Sequence, residues 1–301
     1  MRLDLSDPNG KIYVYCTWIS VITILATSVF IFCYLIVMAP SEGHTLSEGE
    51  SAPGVAWTVI CAAIFLVCLA LLLKDFVGRL KGCPREECDP RFMRAPLSKA
   101  GILMAVTAFT TIVILLFSEL IGEGISSDFM NDLPTYQLMA MMLIAGPEEE
   151  LICRALLIGV PMALICLIAR QKGVLKNILG GFGMSRAALV LLIISSVIFG
   201  LIHLDGWSIM KFPDTFISGM LFGYVYIQYG IHATIVMHSA FDILASLDLL
   251  MEGAGTVPLI ILSILGFVLL LRSLLRIREY IPKNNINEPF EGGLLQMWER
   301  D

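Results

Sequence analysis

The chain is 301 residues long, 57% hydrophobic and only 15% charged, with a formal net charge of −6 and a mean hydropathy of +0.83. A soluble domain carries about 25% charged residues, so the composition excludes an ordinary soluble fold and places the chain among membrane proteins. No internal repeat, glycine-rich phosphate loop or nucleic-acid signature is present, and the basic residues fall in runs between apolar segments.

A helical span takes about 20 apolar residues. By that measure the first segment covers residues 12–39; it is too long for the core of a secretory signal and lacks a small-residue cleavage site, so it reads as a retained span. The second covers 54–73 and the third 100–120. Residues 74–99 between them hold seven Lys or Arg and are long enough for a short amphipathic helix on the membrane surface. The fourth, 136–169, is too long for one straight helix and contains Gly146-Pro147, so it is expected to be kinked or built of two pieces. Segments at 187–204, 214–229, 231–251 and 257–271 follow. The fold class is therefore all-α, a polytopic membrane bundle of about eight helices.

The loops alternate in charge. Residues 40–53 and 121–135 have no Lys or Arg, 170–186 have four, and Arg272, Arg276, Arg278, Lys283 and Arg300 follow the last span. The positive-inside rule then puts both termini in the cytoplasm. On the outer side, the loop at 203–213 has Lys211 as its single base. The tail after Pro282 is polar and expected to be mobile. Cys16, Cys33, Cys61, Cys68, Cys153 and Cys166 lie in apolar segments and act as small hydrophobes. Cys83 and Cys88 share one loop; with no second pair they make no zinc knuckle, and all eight cysteines are expected to be reduced.

Three patterns on separate apolar segments carry the chemistry: Glu149-Glu150-x-x-x-Arg154, Phe199-x-x-x-His203 and His238-x-x-x-Asp242. A charge at the bilayer centre costs roughly 2.5–3.5 kcal/mol on insertion scales, so a membrane chain that keeps several uses them. The glutamate pattern alone is weak, because Glu86, Glu87 and Arg91 repeat it in the basic loop around Pro90. At 149–154, helical spacing faces Glu150 with Arg154 as an ion pair and turns Glu149 about 100° away. Glu149 is thus the expected general base, with Glu148 a rim residue. Phe199 lies one turn before His203 and can cover its ring, and Asp242 lies one turn after His238 and can orient it. His44 reads as a solvated loop residue and His232 as an interfacial one. Counting 1.5 Å per residue across about 30 Å puts Glu149 and His238 about 10 Å from the cytoplasmic face, but His203 near the outer end of its span.

In order and identity these patterns resemble the CAAX prenyl protease and bacteriocin-processing family of membrane glutamic endopeptidases, over roughly residues 136–250. The glycine and aromatic run Ser218-Gly219-Met220-Leu221-Phe222-Gly223-Tyr224 resembles the helix preceding the family's last motif. The resemblance implies that Glu149 and His203 activate a water and that His238 and Asp242 form the oxyanion-stabilising side. It implies no cofactor, and a lipidated or hydrophobic peptide as partner, with a prenylated CAAX-type C-terminus in the prenyl-processing members. Asp242 departs from the asparagine typical of those members; an ionised aspartate donates no hydrogen bond, so Asp242 acts protonated or through His238. The chain then divides into an N-terminal three-helix membrane region (1–135), a catalytic membrane core (136–251), and a last transmembrane helix with its polar tail (252–301). Two other readings use the same residues. Glu149, His203, His238 and Asp242 are acceptable zinc ligands, although no His-Glu-x-x-His signature is present. A transporter or scaffold would use the charges as an ion path, although no repeat supports one.

Overall fold

The computed structural model describes residues 8–38, 40, 52–127, 133–170 and 174–280. Among them every regular element is helical: α1 (Pro8–Cys33), continued by a π-helical turn at Tyr34–Met38, then α2 (Ala52–Leu80), α3 (Arg85–Met93), α4 (Pro96–Leu120) and α5 (Thr135–Glu150). A π-helical stretch at Leu151–Gly159 leads into α6 (Val160–Ile168), followed by α7 (Arg186–Ile202), α8 (Lys211–Tyr229), α9 (Ile231–Ser246) and α10 (Thr256–Tyr280). The protein is a polytopic helical membrane bundle. His44 and the tail beyond Tyr280 lie outside the described residues.

Each of the eight sequence segments corresponds to a helix, but the helices are of two kinds. Among the described residues, five stretches are long and apolar enough to cross a bilayer by their own composition: Gly10–Val37, Gly54–Leu80, Pro96–Leu120, Thr135–Ile168 and Thr256–Leu274. The helices α7, α8 and α9 are shorter or more polar. Neighbours cover α8 and α9, whereas α7 keeps Val190, Ile194 and Leu201 exposed. Residues 233–241 of α9 are buried on every face, and α9 packs against α1, α2, α4, α5 and α8. Large apolar side chains instead face outward, Leu116, Leu120, Ile168 and Ile264 among them.

Hydroxyls inside α1 are satisfied locally. Thr17, Ser20, Thr27 and Ser28 each donate to the carbonyl four residues earlier, which spares them the cost of a bare hydroxyl in a low-dielectric setting. The long fourth segment is one continuous helical run, and its expected break takes the form of the π-helical stretch directly after Glu149 and Glu150. Widened turns of this kind recur at functional sites. The basic loop holds the short helix α3, with Phe92 and Met93 buried and Arg91 exposed. There Glu87 and Arg91 form an exposed i,i+4 ion pair despite Pro90, so the second copy of the glutamate pattern is a surface feature.

The α10 helix meets α4 at Gly266, where an added Cβ would overlap the Ala105 carbonyl oxygen. A backbone atom cannot move aside as a side-chain tip can. Gly266→Ala is therefore expected to destabilise the bundle by about 1–3 kcal/mol, the usual cost of overpacking. Thermal unfolding in detergent measures it, and an unchanged midpoint would contradict the close approach.

Candidate active site

Small residues draw the site-bearing helices together. On α8, a Cβ at Gly219 would lie 3.1 Å from the Phe199 ring and 3.3 Å from Ser196, while one at Gly223 would overlap Leu192. Gly219-x-x-x-Gly223 is thus the seam that admits α7, and Gly200 on α7 admits Phe212 in return. Between α5 and α9, a Cβ at Gly146 would overlap the Ser239 hydroxyl. These contacts bring Glu149, Glu150, His203 and His238 from three helices to one place.

Glu150 is the hub. It is fully buried, and its carboxylate lies 3.2 Å from Arg154 Nε, the expected ion pair. It also accepts a 2.8 Å hydrogen bond from His238 Nδ1 and a 2.9 Å bond from the Thr234 hydroxyl. The role expected for it was to pair with Arg154 and hold the helix; the structure adds that it fixes the His238 ring. Beside an arginine, the carboxylate acts as acceptor, so Nδ1 carries a proton and Nε2 faces the site. Thr234 itself bridges Glu150 and the Phe222 carbonyl, and the Phe222 ring stacks on the imidazole at 4.4 Å and 26°. Sequence reasoning missed both. Thr234 had a readable signal, since it lies one turn before His238 on the same face; Phe222 had none beyond the aromatic–glycine run.

Glu149 points away from Glu150, as the helical step of about 100° requires. Its Oε2 lies 3.6 Å from His238 Nε2 and 3.8 Å from His203 Nε2 and makes no hydrogen bond within the chain. His238 Nε2 also lies 3.2 Å from Asp242 Oδ2. Glu149, His203 and Asp242 are each partly exposed, with 30%, 19% and 23% of the side chain accessible, while His238 is only 3% exposed. The site is therefore anchored at Glu150 and His238 and open at the other three residues.

Counting residues along the spans set His203 at a different depth from its partners, and the structure corrects this. His203 caps α7, and its ring folds back along the helix so that Nδ1 bonds the Phe199 carbonyl at 2.8 Å. Side chains on a helix lean toward its N-terminus, which returns the imidazole about one turn toward Glu149. Phe199 lies edge-on to His203 at 4.6 Å and to His238 at 5.9 Å. Its face also carries the Arg154 guanidinium at 4.5 Å, a contact the spacing did not reveal. Glu148 lies outside this constellation, and His232 stands at the first turn of α9, away from it.

Residues 131–244 match the family model described as Type II CAAX prenyl endopeptidase Rce1-like. That segment is an Rce1-like domain. It contains every residue placed in the site above, from Glu149 to Asp242. No curated protein and no solved structure matches the chain. The match to an Rce1-like domain, on a bundle whose outer surface is apolar, supports a protease embedded in the membrane. All of its described cysteines are free, Cys83 and Cys88 included.

Proposed function

We propose that the protein is an intramembrane glutamic endopeptidase that works without a metal. The observation that carries this reading is the approach of Glu149 Oε2 to two imidazole nitrogens at 3.6 and 3.8 Å, separations that one bridging water or substrate oxygen spans. In the proposed reaction, Glu149 and His203 hold the water and Glu149 removes its proton as the oxygen attacks the peptide carbonyl. The carbonyl oxygen, now negative, takes a hydrogen bond from Nε2–H of His238 in its imidazolium form, with Asp242 beside it. Collapse of the tetrahedral species breaks the C–N bond, and the proton held by Glu149 passes to the leaving amine. Positioned proton transfer contributes about 10²–10⁴-fold, and one oxyanion donor about 10²–10³-fold.

The proposed substrate is a lipidated or hydrophobic peptide cleaved near its C-terminus, with a prenylated CAAX-type end as the class that the family's description names. The proposed orientation has both termini in the cytoplasm, following the seven basic residues at 74–99 and four at 170–186. The His203 end of α7 then faces away from those loops, which suits a peptide entering from the bilayer.

Asp242 supplies a prediction of its own. If it serves as a donor near the oxyanion, Asp242→Asn keeps a permanent N–H there and stays within about tenfold of the wild-type rate, whereas Asp242→Ala loses about 10²–10³-fold. Steady-state rates on one peptide decide this, and an inactive Asp242→Asn beside an active Asp242→Ala would reject the donor role.

The function is tested with two peptides of one sequence, with and without an isoprenoid on the cysteine, given to the protein in liposomes. Cleavage of the prenylated peptide alone supports the CAAX-type substrate. Cleavage of both supports a broader hydrophobic-peptide protease, and cleavage of neither, over a prenylated and plain library, favours a transporter or scaffold.

A further inference from the structure

Beyond the reacting groups, the loop that follows His203 carries one lysine, Lys211. Lys211 begins α8, next to Phe212, whose ring rests on Gly200 one turn before His203. Its ammonium donates to Asp214 Oδ2 at 2.9 Å and lies 4.7 Å from the centre of the Trp207 ring. Asp214 is buried, and its other oxygen takes a 2.6 Å hydrogen bond from the Thr111 hydroxyl. The Lys211 side chain stays 21% exposed while that of Asp214 is 6% exposed. The ammonium has three N–H donors, of which Asp214 takes one and the aromatic face covers a side. No other base lies in the loop at 203–213, where exposed Asp205 is the opposing charge.

A tethered, partly exposed ammonium beside a peptide-cleaving centre fits a small anion at a set distance from the scissile bond. Every peptide substrate carries one such group, the carboxylate of its last residue. We propose that Lys211 binds the free C-terminal carboxylate of the substrate and so fixes how far from the chain end hydrolysis occurs. This rests on the hydrolase reading above. Lys211 selects substrates under it; the bond-breaking residues remain Glu149, His203, His238 and Asp242.

The test uses two peptides of identical sequence, one ending in a free carboxylate and one in an amide, with the protein in zwitterionic liposomes so that no anionic headgroup competes. The acid is expected to be favoured in kcat/KM by about tenfold or more, the contribution of one charge-assisted hydrogen bond. In Lys211→Met the ratio is expected to fall to about one, and in Lys211→Arg to persist. Because both peptides are read on one preparation, the ratio is insensitive to the folded fraction. Lys211→Met/Asp214→Asn, which leaves no unpaired buried carboxylate, is expected to give the same collapse. Equal cleavage of acid and amide by the wild type, or a preference that survives Lys211→Met, overturns the carboxylate role while leaving the hydrolase intact. Cleavage of neither peptide overturns the hydrolase reading and this one with it.

Discussion

Glu149→Gln is expected to abolish peptide hydrolysis, by about 10³-fold or more, while the protein folds as before. The amide keeps the shape of the carboxyl but cannot take a proton from water, and a positioned base contributes about 10²–10⁴-fold. The folded state loses little, because Glu149 Oε2 makes no hydrogen bond within the chain and its side chain is 30% exposed. The amide has the same shape and breaks no hydrogen bond of that oxygen, so the expected stability change stays within about 1 kcal/mol. Cleavage rates and thermal unfolding on the same preparation separate the two effects. Full activity in this variant would remove Glu149 from the base role.

Glu150→Gln is expected to act in the opposite sense, through the fold first. The carboxylate is fully buried and faces Arg154, Thr234 and His238 at 3.2, 2.9 and 2.8 Å. An amide in its place turns one N–H₂ toward groups that are themselves donors and leaves the buried guanidinium without a counter-charge. Breaking a buried ion pair from one side costs about 3–5 kcal/mol. Activity is also expected to fall, because His238 loses the group that holds its ring and fixes its tautomer. The double variant Glu150→Gln/Arg154→Met is expected to recover part of the stability and none of the activity. Thermal unfolding with a cleavage assay checks both halves; a single variant as stable and active as the wild type would show that Glu150 is not the hub.

Much of this was legible in the residues because helical geometry is regular. A spacing of four joined Glu150 to Arg154 and Phe199 to His203, and the 100° step separated Glu149 from Glu150. The spans could be read where apolar runs faced lipid, as at 54–73, where the structure carries the helix on to Leu80. What resisted reading depended on contacts between helices. Glu150 serves His238 because Gly146 lets α5 rest on Ser239, and that approach leaves no trace in local spacing. Arg154 sits on Phe199 because Gly219 and Gly223 admit α7 beside α8. The depth of His203 came out wrong by counting because a residue number locates Cα, whereas the chemistry is at the end of a side chain that leans back toward Phe199.

The central claim is that water held by Glu149 and His203, without a metal, cleaves a peptide within the membrane. The most direct measurement is mass spectrometry of a lipidated peptide after incubation with liposome-reconstituted protein stripped of metal by a chelator. The account predicts the same cleavage products at the same rate before and after stripping. Loss of cleavage on stripping, restored by stoichiometric zinc, would contradict it.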